Sequence, residues 1–312
     1  MAHRSGIDLG KLYGGDRISI ARAISLIENE REDAEDLLRD IFPRTGRCYR
    51  VGITGPPGAG KSTITNRLAQ HYRGLGRTVG IVAVDPTSPF TGGALLGDRV
   101  RMSDVELDPG VFIRSMASRG SLGGLSRKSL EAVDVLDAAG KDVVMIETVG
   151  VGQSELDIAG TADTTIVVLV PESGDSVQAM KAGLMEIADV FVLNKSDRAG
   201  AEQAAMSIKM VLRFRQTAEW IPDVISAVAQ EGKGIGEIAA KIEEHRAFLE
   251  QEQRLKMKRN LRVEDRIRQL VADMLRVDFW TADRLAMLSK KMELISRKEM
   301  NPYDVVHELI DM

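Results

Sequence analysis

The residues GPPGAGKS, from Gly55 to Ser62, follow the β-rich run VGIT and begin a stretch with helical periodicity. They match the pattern G-x-x-x-x-G-K-[ST] in the strand-to-helix context that this pattern requires. Its glycines let the main chain curl so that successive N–H groups converge on phosphate oxygens, and the helix N-terminus adds a positive dipole end. The sequence therefore predicts a phosphate-binding loop (P-loop) of Gly55, Pro56, Pro57, Gly58, Ala59, Gly60, Lys61, Ser62 and Thr63.

Two side chains of this loop have an expected chemical role. Lys61 is predicted to contact the β- and γ-phosphates of a nucleoside triphosphate, and the Ser62 hydroxyl is predicted to bind Mg²⁺. A dinucleotide-binding G-x-G-x-x-G loop has no need of this lysine, so the pattern disfavours that class of site.

Seven short β-rich apolar runs alternate with helical segments or loops from Tyr49 onwards. Continuous apolar runs are typical of strands buried on both faces, and their alternation with helices predicts a mainly parallel sheet. We predict an α/β P-loop nucleoside triphosphatase domain at 47–248. A helical extension at 1–46 precedes it, with one or two amphipathic helices ended by Pro43 and Gly46. A charged helical arm at 249–312 follows it.

The composition narrows the class of partner. The chain has 312 residues with a net charge of −4, which predicts no broad nucleic-acid or membrane interaction. Its single cysteine, Cys48, excludes an internal disulfide and is typical of a reducing cytosol. No apolar run approaches the ~20 residues that span a bilayer, and the N-terminus lacks a signal-peptide core. We therefore expect a cytoplasmic protein.

The tetrapeptide NKSD, at 194–197, follows the apolar run DVFVL. Asp197 can accept hydrogen bonds from the guanine ring N–H and amino groups, whereas adenine would leave this carboxylate unpaired. Lys195 is expected to pack over the base, and Asn194 is expected to brace the P-loop. The run ISAVAQ lies where a second base-contacting loop is expected, with Ser226, Ala227 and Val228 as candidates. These motifs favour GTP and GDP over adenine nucleotides.

Three acidic residues are candidates for Mg²⁺ binding and catalysis. Asp85 ends one apolar run, Asp98 lies in the following loop segment, and Glu147 ends the run DVVMI. Carboxylates at strand ends beside a phosphate site can hold Mg²⁺ directly or through water, although each could also be a turn or cap residue. Glu147 fits best, because an acidic residue, two spacers and a glycine form a Walker B pattern. The residue after Gly150 is Val151, where small signalling GTPases carry a water-orienting glutamine, so we predict slow intrinsic hydrolysis.

One further segment, PESGDSVQAMKAG, follows another apolar run. Asp175 begins a loop there, and Gln178 and Lys181 lie early in a stretch with helical character. General physical chemistry assigns these residues only to a solvated loop.

Five segments together, GPPGAGKST, VDPTSPFTGGALLGDRVRM, ETVGVGQSELD, ESGDSVQAMKAG and LNKSD, resemble the SIMIBI-class, metallochaperone-type P-loop GTPases of the MeaB family. This family, whose bacterial members are also called ArgK, serves methylmalonyl-CoA mutase and includes the human protein of the methylmalonic aciduria type A locus. The resemblance covers nearly the whole chain.

The resemblance implies roles for particular residues. Asp85, Asp98 and Glu147 match acidic residues implicated in Mg²⁺ binding and GTP hydrolysis, and Lys61 and Ser62 match the phosphate and magnesium residues. The guanine-specificity residues are matched by Asn194, Lys195 and Asp197. Asp175, Gln178 and Lys181 fall in a third switch loop that relays the nucleotide state to the client.

The resemblance also implies a biological role. The client would be an adenosylcobalamin-dependent acyl-CoA mutase, whose cofactor loading the GTPase gates and which it protects or reactivates. The C-terminal arm would make a homodimer.

Two other functions share parts of this pattern. One is an ATP-using kinase or ATPase linked to arginine and ornithine transport, although protein-kinase motifs are absent from the sequence. The other is a nickel-delivery GTPase, which would need cysteine or histidine clusters that this sequence does not contain.

Overall fold

The computed structural model describes residues 6–29, 33–85, 103–117, 127–148, 154–171, 183–213 and 219–312, and the statements below concern these residues. Their contacts group the chain into two compact units, Met1–Leu255 and Lys256–Met312, and each is described by itself.

The first unit is built on a parallel sheet of seven strands. The strands are β1 (Tyr49–Thr54), β2 (Val79–Asp85), β3 (Val111–Ala117), β4 (Val143–Thr148), β5 (Thr164–Leu169), β6 (Val190–Leu193) and β7 (Asp223–Ser226). They are arranged in the order β3-β2-β4-β1-β5-β6-β7, and every pairing is parallel. The predicted α/β fold with a mainly parallel sheet is confirmed.

Helices flank this sheet. They are α1 (Leu9–Tyr13), α2 (Arg17–Glu28), α3 (Ala34–Ile41), α4 (Lys61–Gly74), α5 (Ser103–Glu106), α6 (Arg127–Ala138), α7 (Ser154–Thr161), α8 (Leu184–Ile187), α9 (Ala201–Leu212) and α10 (Ile235–Glu250). Short 3-10 turns cover Phe42–Arg44, Ala229–Glu231 and Gln251–Gln253.

The sheet is buried on both faces, as its continuous apolar runs predict. Every residue of β1, β4, β5 and β6 is buried. On one face Val51 of β1 belongs to the same core cluster as Leu68 of α4. On the other face Val144 of β4 shares a cluster with Ile24 of α2 and Leu136 of α6. The N-terminal helices therefore contribute to the core of the sheet.

The N-terminal helices begin and end where their sequence indicates. The Asp16 carboxylate caps α2 by accepting a hydrogen bond from the Ser19 N–H at 2.8 Å, which satisfies one of the unpaired donors of the first turn. After α3 the chain makes a 3-10 turn that contains Pro43, and Gly46 then adopts a positive φ of 86°. The helices predicted within 16–41 are present.

Helix α7 approaches β1 very closely at Gly52. A Cβ atom at this position would lie 2.7 Å from Cγ1 of Ile158 and 2.9 Å from Cβ of Ala162. Glycine in a strand often marks such a close approach, because any side chain would separate the two layers.

The second unit contains α12 (Ala282–Ser296), α13 (Pro302–Ile310) and most of α11 (Arg254–Phe279). The Arg284 guanidinium lies 4.5 Å from the centre of the Phe279 ring and donates to the Leu309 carbonyl at 3.0 Å. Leu309 and Val305 are buried, so α13 packs its apolar side against the rest of the unit. Within the described residues no helix has both the length and the apolar composition that crossing a bilayer takes.

Candidate functional site

The candidate residues at or just after the carboxyl ends of four strands lie along the same side of the sheet. The P-loop follows β1, Glu147 is the penultimate residue of β4, Asn194 follows β6, and Ser226 ends β7. In register, Ile53 of β1 pairs with Glu147. In an open parallel sheet, ligands bind outside the carboxyl ends of the strands, which is where these residues converge.

The P-loop conformation requires glycine at two positions for steric reasons. Gly55 and Gly60 have φ values of 134° and 91°, a region that other residues rarely adopt. A Cβ atom on Gly55 would overlap the Val168 carbonyl, and one on Gly60 would overlap Nδ2 of Asn194. Gly58 also has a positive φ, of 77°, but nothing lies within 4 Å of its missing Cβ.

Lys61 is the first residue of α4 and its side chain is buried. Its ammonium donates hydrogen bonds to the carbonyls of Gly55 at 2.8 Å and Pro56 at 3.0 Å. The charge is therefore held against the main chain of the loop. A phosphate in this loop would meet both the ammonium and the positive end of the helix.

Glu147 connects the P-loop helix to the neighbouring strand. Its Oε1 accepts a hydrogen bond from the Ser62 hydroxyl at 2.6 Å, and its Oε2 accepts one from the Thr65 hydroxyl at 2.8 Å. Glu147 is 7% exposed, and its carboxylate accepts both bonds from residues of α4. Glu147 is thereby fixed in orientation beside the phosphate loop.

The donor set fits Mg²⁺. This ion prefers hard oxygen ligands and, in nucleotide sites, takes one or two protein oxygens together with phosphates and waters. The Ser62 hydroxyl and the Glu147 carboxylate supply adjacent oxygens of this kind. Among the described residues no three His, Cys, Asp or Glu side chains cluster around a common point, and a magnesium–nucleotide site does not need such a cluster.

The other acidic candidates are described less fully. Asp85 is the last residue of β2, one strand beyond β4, and its main chain pairs in register with Ala117. The position of its side chain lies outside the described part of the structure. Asp98, Asp175, Gln178, Lys181 and Val151 also lie outside the described residues.

Asn194 joins the P-loop to the loop after β7. Its Nδ2 donates to the Ala59 carbonyl at 2.8 Å, and its Oδ1 accepts from the Ala229 N–H at 3.1 Å. Lys195 follows in a left-handed conformation with φ 55°, and its ammonium donates to the Gly58 carbonyl at 2.8 Å. Both side chains thus contact the loop that the sequence associates with phosphate.

The loop after β7 lies against the NKSD turn. The Ser196 N–H and hydroxyl both donate to the Ala227 carbonyl at 3.0 Å. Asp197 is exposed, so its carboxylate is accessible to a ligand. The pKa of Lys233 is raised, chiefly by a hydrogen bond to Glu231. The negative charge of Asp197 raises the pKa of Lys233 further. The geometry brings Ser226, Ala227 and Val228 to the same edge as Asn194, Lys195 and Asp197.

A sequence model of the family described as "Methylmalonyl Co-A mutase-associated GTPase MeaB" matches residues 20–284. The chain belongs to the MeaB family. A putative GTPase of Pyrococcus abyssi is 49% identical to it over 305 residues, which are 96% of this chain and 94% of that protein. The mitochondrial methylmalonic aciduria type A homolog of Mus musculus is 37% identical over 246 residues, 73% of this chain and 59% of that protein.

A solved structure described as the LAO/AO transport system kinase is similar along its whole length. It is 29% identical, with a TM-score of 0.74, and the match covers 97% of this chain and 95% of that one. The MeaB-family assignment and the named relatives make this chain a P-loop GTPase that binds guanine nucleotide.

Two residues of this MeaB-family site were not identified from the sequence. Thr65 lies three residues after Ser62, so both hydroxyls project from one face of α4 towards Glu147, and helical spacing alone would have indicated it. Arg67 donates to the carbonyls of Ala229 at 3.2 Å and Gln230 at 2.8 Å. No sequence signal marks this contact, because its acceptors are main-chain atoms 162 and 163 residues away.

Cys48 takes no part in the site. Cys48 is buried and immediately precedes β1, so it lies at the amino end of that strand, opposite the P-loop. Burial raises the pKa of its thiol far above the usual range. A thiol held neutral in this way is a poor nucleophile and a poor metal ligand.

Proposed function

We propose that this chain is a Mg²⁺-dependent GTP hydrolase that acts as a chaperone for an adenosylcobalamin-dependent acyl-CoA mutase of the methylmalonyl-CoA mutase type. In this role it gates cofactor loading and protects or reactivates the mutase. The observation that carries the hydrolase is the 2.6 Å contact between Ser62 and Glu147 beneath the P-loop. The client rests on the family description, which associates the family with that mutase.

In the proposed mechanism, water attacks the γ-phosphate in line with the leaving group. Lys61 and the main-chain N–H groups of the P-loop stabilise the negative charge that develops on the phosphate oxygens. Mg²⁺, when bound, neutralises charge on the β- and γ-phosphates. Ser62 would hold it, with Glu147 and the expected contributors Asp85 and Asp98 completing its shell directly or through water.

Hydrolysis by the chain alone is expected to be slow. Both oxygens of Glu147 accept hydrogen bonds from α4, so this carboxylate is positioned for a structural or metal-binding role rather than for orienting water. The position after Gly150 is valine, whose side chain cannot hydrogen-bond the attacking water. A partner that rearranges the loops near the γ-phosphate would then accelerate turnover, with Asp175, Gln178 and Lys181 relaying the nucleotide state.

The test is GTP hydrolysis by the purified chain, alone and with an adenosylcobalamin-dependent methylmalonyl-CoA mutase. We expect stimulation of at least roughly tenfold, and a physical complex whose stability depends on whether GDP or a non-hydrolysable GTP analogue is bound. Fast hydrolysis that the mutase leaves unchanged, with no complex formed, would contradict the chaperone role.

Glu147→Gln provides the matched test of the hydrolytic centre. The amide keeps the volume and can still accept from Ser62, but it removes the negative charge, so we expect hydrolysis to fall roughly 100-fold. GDP affinity should change little, because Glu147 acts on the metal rather than on the base. Unaltered hydrolysis across a Mg²⁺ titration would remove Glu147 from the proposed site.

An ATP-using kinase or ATPase linked to amino-acid transport is the alternative, and the description of the similar solved structure as a transport system kinase favours it. Nucleotide competition separates the two functions. Preference for ATP, or transfer of its γ-phosphate to a protein substrate, would support the kinase.

A homodimer and a cytoplasmic location complete the proposal. We propose a helical extension at 1–46, a GTPase domain at 47–248 and a dimerising arm at 249–312. Exposed apolar residues along α11, among them Ile267 and Met274, support a partner for the arm.

A further inference from the structure

Strand β3 is one of the two edge strands of the described sheet, where it pairs only with β2. Ile113, Arg114 and Ser115 are each partly exposed, whereas all residues of the central strands are buried. An edge strand presents unpaired main-chain N–H and C=O groups along its outer side.

The hydrogen bonds show which groups of β3 face outwards. The Val79 N–H donates to the Gly110 carbonyl at 2.9 Å, so Gly110 faces β2. Because successive residues of a strand point their main-chain groups to opposite edges, Val111, Ile113 and Ser115 face away from β2. Arg17 of α2 donates to the Val111 carbonyl at 2.8 Å. Within the described part of the chain, the main-chain groups of Ile113 and Ser115 have no hydrogen-bond partner on that side.

A cleft of about 660 Å³ runs between α2 and this outer edge. Its lining includes three consecutive residues of β3, namely Phe112, Ile113 and Arg114. Side chains of consecutive strand residues point to opposite faces, so all three can line one cleft only if the cleft borders the edge of the strand.

The cleft is rich in positive charge. Among the described residues, Arg17, Arg22 and Arg114 line it, and Glu106 is the one lining carboxylate. Arg114 pairs with Glu28, but the guanidinium of Arg17 donates to three main-chain carbonyls, which carry no net charge. Arg17 therefore keeps its charge uncompensated by those bonds.

The electrostatic influence of Arg17 reaches its neighbours. The pKa of Lys141 is lowered, first by burial and then by the positive charges of Arg17 and Arg73. Two exposed apolar side chains lie at or beside the cleft: Ile18, which lines it, is 63% exposed, and Leu107, next to the lining residue Glu106, is 91% exposed. In the part of the chain that the structure describes, positive charge, exposed apolar side chains and outward main-chain groups without a partner thus occur together.

We propose that an extended, acidic segment of a partner protein adds to the free edge of β3 in this cleft. The main chain of the segment would bond with Ile113 and Ser115, and its carboxylates would face Arg17 and Arg22. Strand addition of this kind takes affinity from the main chain and selectivity from the side chains. The charge of the cleft favours an acidic segment over a basic or neutral one.

This docking site is separate from the nucleotide. β3 lies three strands from β1, which is about 14 Å at the usual strand spacing, and the cleft borders the middle of β3 rather than its carboxyl end. Binding should therefore be the same with GDP and with a GTP analogue. The proposal does not rest on the client assigned above, so either can fail without the other.

The probe is a fluorescent peptide of sequence EVEVEVE, acetylated at its N-terminus and matched to the seven residues of β3. It is titrated against the full chain by fluorescence anisotropy, up to about 1 mM protein. We expect saturable binding, and at least roughly tenfold weaker binding of KVKVKVK under the same conditions. Absence of saturable binding, or equal binding of the two peptides, would overturn the proposal.

Arg22→Glu tests the position. Arg22 is exposed and lies outside the GTPase site, so hydrolysis and Tm should stay unchanged while EVEVEVE binds at least roughly tenfold more weakly. Arg47→Glu makes the same charge change at an exposed position outside the lining of the cleft and should leave binding unaltered. Equal losses in the two variants would show a non-specific charge effect and contradict the site.

Amide hydrogen exchange separates strand addition from simple ion binding. Saturation with EVEVEVE should slow exchange at Ile113 and Ser115, and Phe112 and Arg114, which already face β2, serve as internal references. Binding that depends on Arg22 but leaves Ile113 and Ser115 unprotected would mean that the cleft binds anions without adding a strand, which would contradict the proposal.

Discussion

Because Gly60 has no side chain, the P-loop and the NKSD segment can approach each other closely. Its missing Cβ leaves room for the Asn194 amide, which bonds the Ala59 carbonyl of the same loop. A side chain here would force the NKSD segment and the P-loop apart. The two residues, Gly60 and Asn194, are 134 positions apart in sequence. The same two motifs also meet where the Lys195 ammonium donates to the Gly58 carbonyl.

The matched substitutions Gly60→Ala and Gly58→Ala test that contact. Both place alanine at a positive φ, which costs about 1–2 kcal/mol, but only Gly60→Ala also overlaps Asn194. We expect GDP affinity to fall at least roughly tenfold further for Gly60→Ala than for Gly58→Ala, measured by isothermal titration. Equal losses would mean that strain of the main chain alone matters.

Asp197 carries the prediction on base selectivity. In Asp197→Asn an amide N–H replaces one acceptor, so the side chain mispairs with the donors of guanine and instead matches xanthine, which has a carbonyl in place of the amino group. GTP affinity should fall roughly 100-fold and xanthosine triphosphate should become the better ligand, as measured by competition. Asp283→Asn, an exposed change in α12, is the control. Unchanged discrimination would place the base elsewhere.

The sequence predicted the residues of this site better than their contacts. The P-loop and NKSD lie in local patterns, so their side chains and their positions at strand ends followed from a few adjacent letters. Arg67 and the 3-10 turn at Ala229–Glu231 meet only through folding, and their hydrogen bonds use main-chain carbonyls that any residue would supply. Such contacts cannot be predicted from the types of the residues that accept the hydrogen bonds.

At the level of elements, α7 packs closely on β1 at Gly52. The apolar run YRVGIT predicted a buried strand. It could not reveal that Gly52 accommodates Ile158 of α7, because the helix that covers a strand depends on the order of the strands in the sheet. That order, with β4 and β5 on either side of β1, is a property of the whole chain. The helix and strand periodicities were sufficient to predict the fold class. They were insufficient to predict which elements pack against each other.

Gly52→Val should destabilise the first unit by overpacking. The new methyl groups would need space that Ile158 and Ala162 already occupy, so the free energy of unfolding should fall by about 1–3 kcal/mol in urea titrations. A second substitution, Ile158→Ala, removes the nearest side-chain atoms and should restore part of that loss, although alone it is destabilising. Additive losses in the double variant would contradict the close contact.

At the scale of the whole molecule, Lys141 couples stability to alkaline pH. Its pKa is lowered by burial and by Arg17 and Arg73, against the opposing charges of Asp108 and Asp142. The unfolded chain, in which this pKa returns to about 10.5, then binds more protons than the folded one between the two values. This residue therefore makes the free energy of unfolding rise with pH across that window.

Lys141→Met should remove this pH dependence. At pH 7 the variant should have a higher Tm than the wild type, because a buried charge has been replaced by an apolar group of similar shape. The difference should shrink as the pH rises to about 10.5. Lys11→Met, at an exposed lysine, should show no such convergence. A lower Tm at pH 7 would mean that the hydrogen bond to the Gly110 carbonyl, at 3.3 Å, outweighs the cost of burying the charge.

The proposed homodimer would use α11. Val263, Ile267, Leu270, Met274 and Val277 recur at alternating intervals of four and three residues along its 26 residues. This spacing is typical of a helix that packs against another helix. Ile267 and Met274 are 55% and 65% exposed. A helix of this length presents a seam of about 39 Å, and a stable interface needs about 1,200–2,000 Å².

The double variant Ile267→Asp, Met274→Asp should therefore convert a dimer into a monomer. Each aspartate would lose its hydration in a paired seam, so the dimer should dissociate at least roughly 100-fold more readily in sedimentation equilibrium. Gln269→Asp adds a charge on a different face of the same helix and should leave the dimer intact. Basal GTP hydrolysis should be the same in all three proteins, because the residues of the candidate site lie within Met1–Leu255. If the wild type is monomeric at every concentration, the arm is not a dimerisation element, and its apolar seam must serve a different partner.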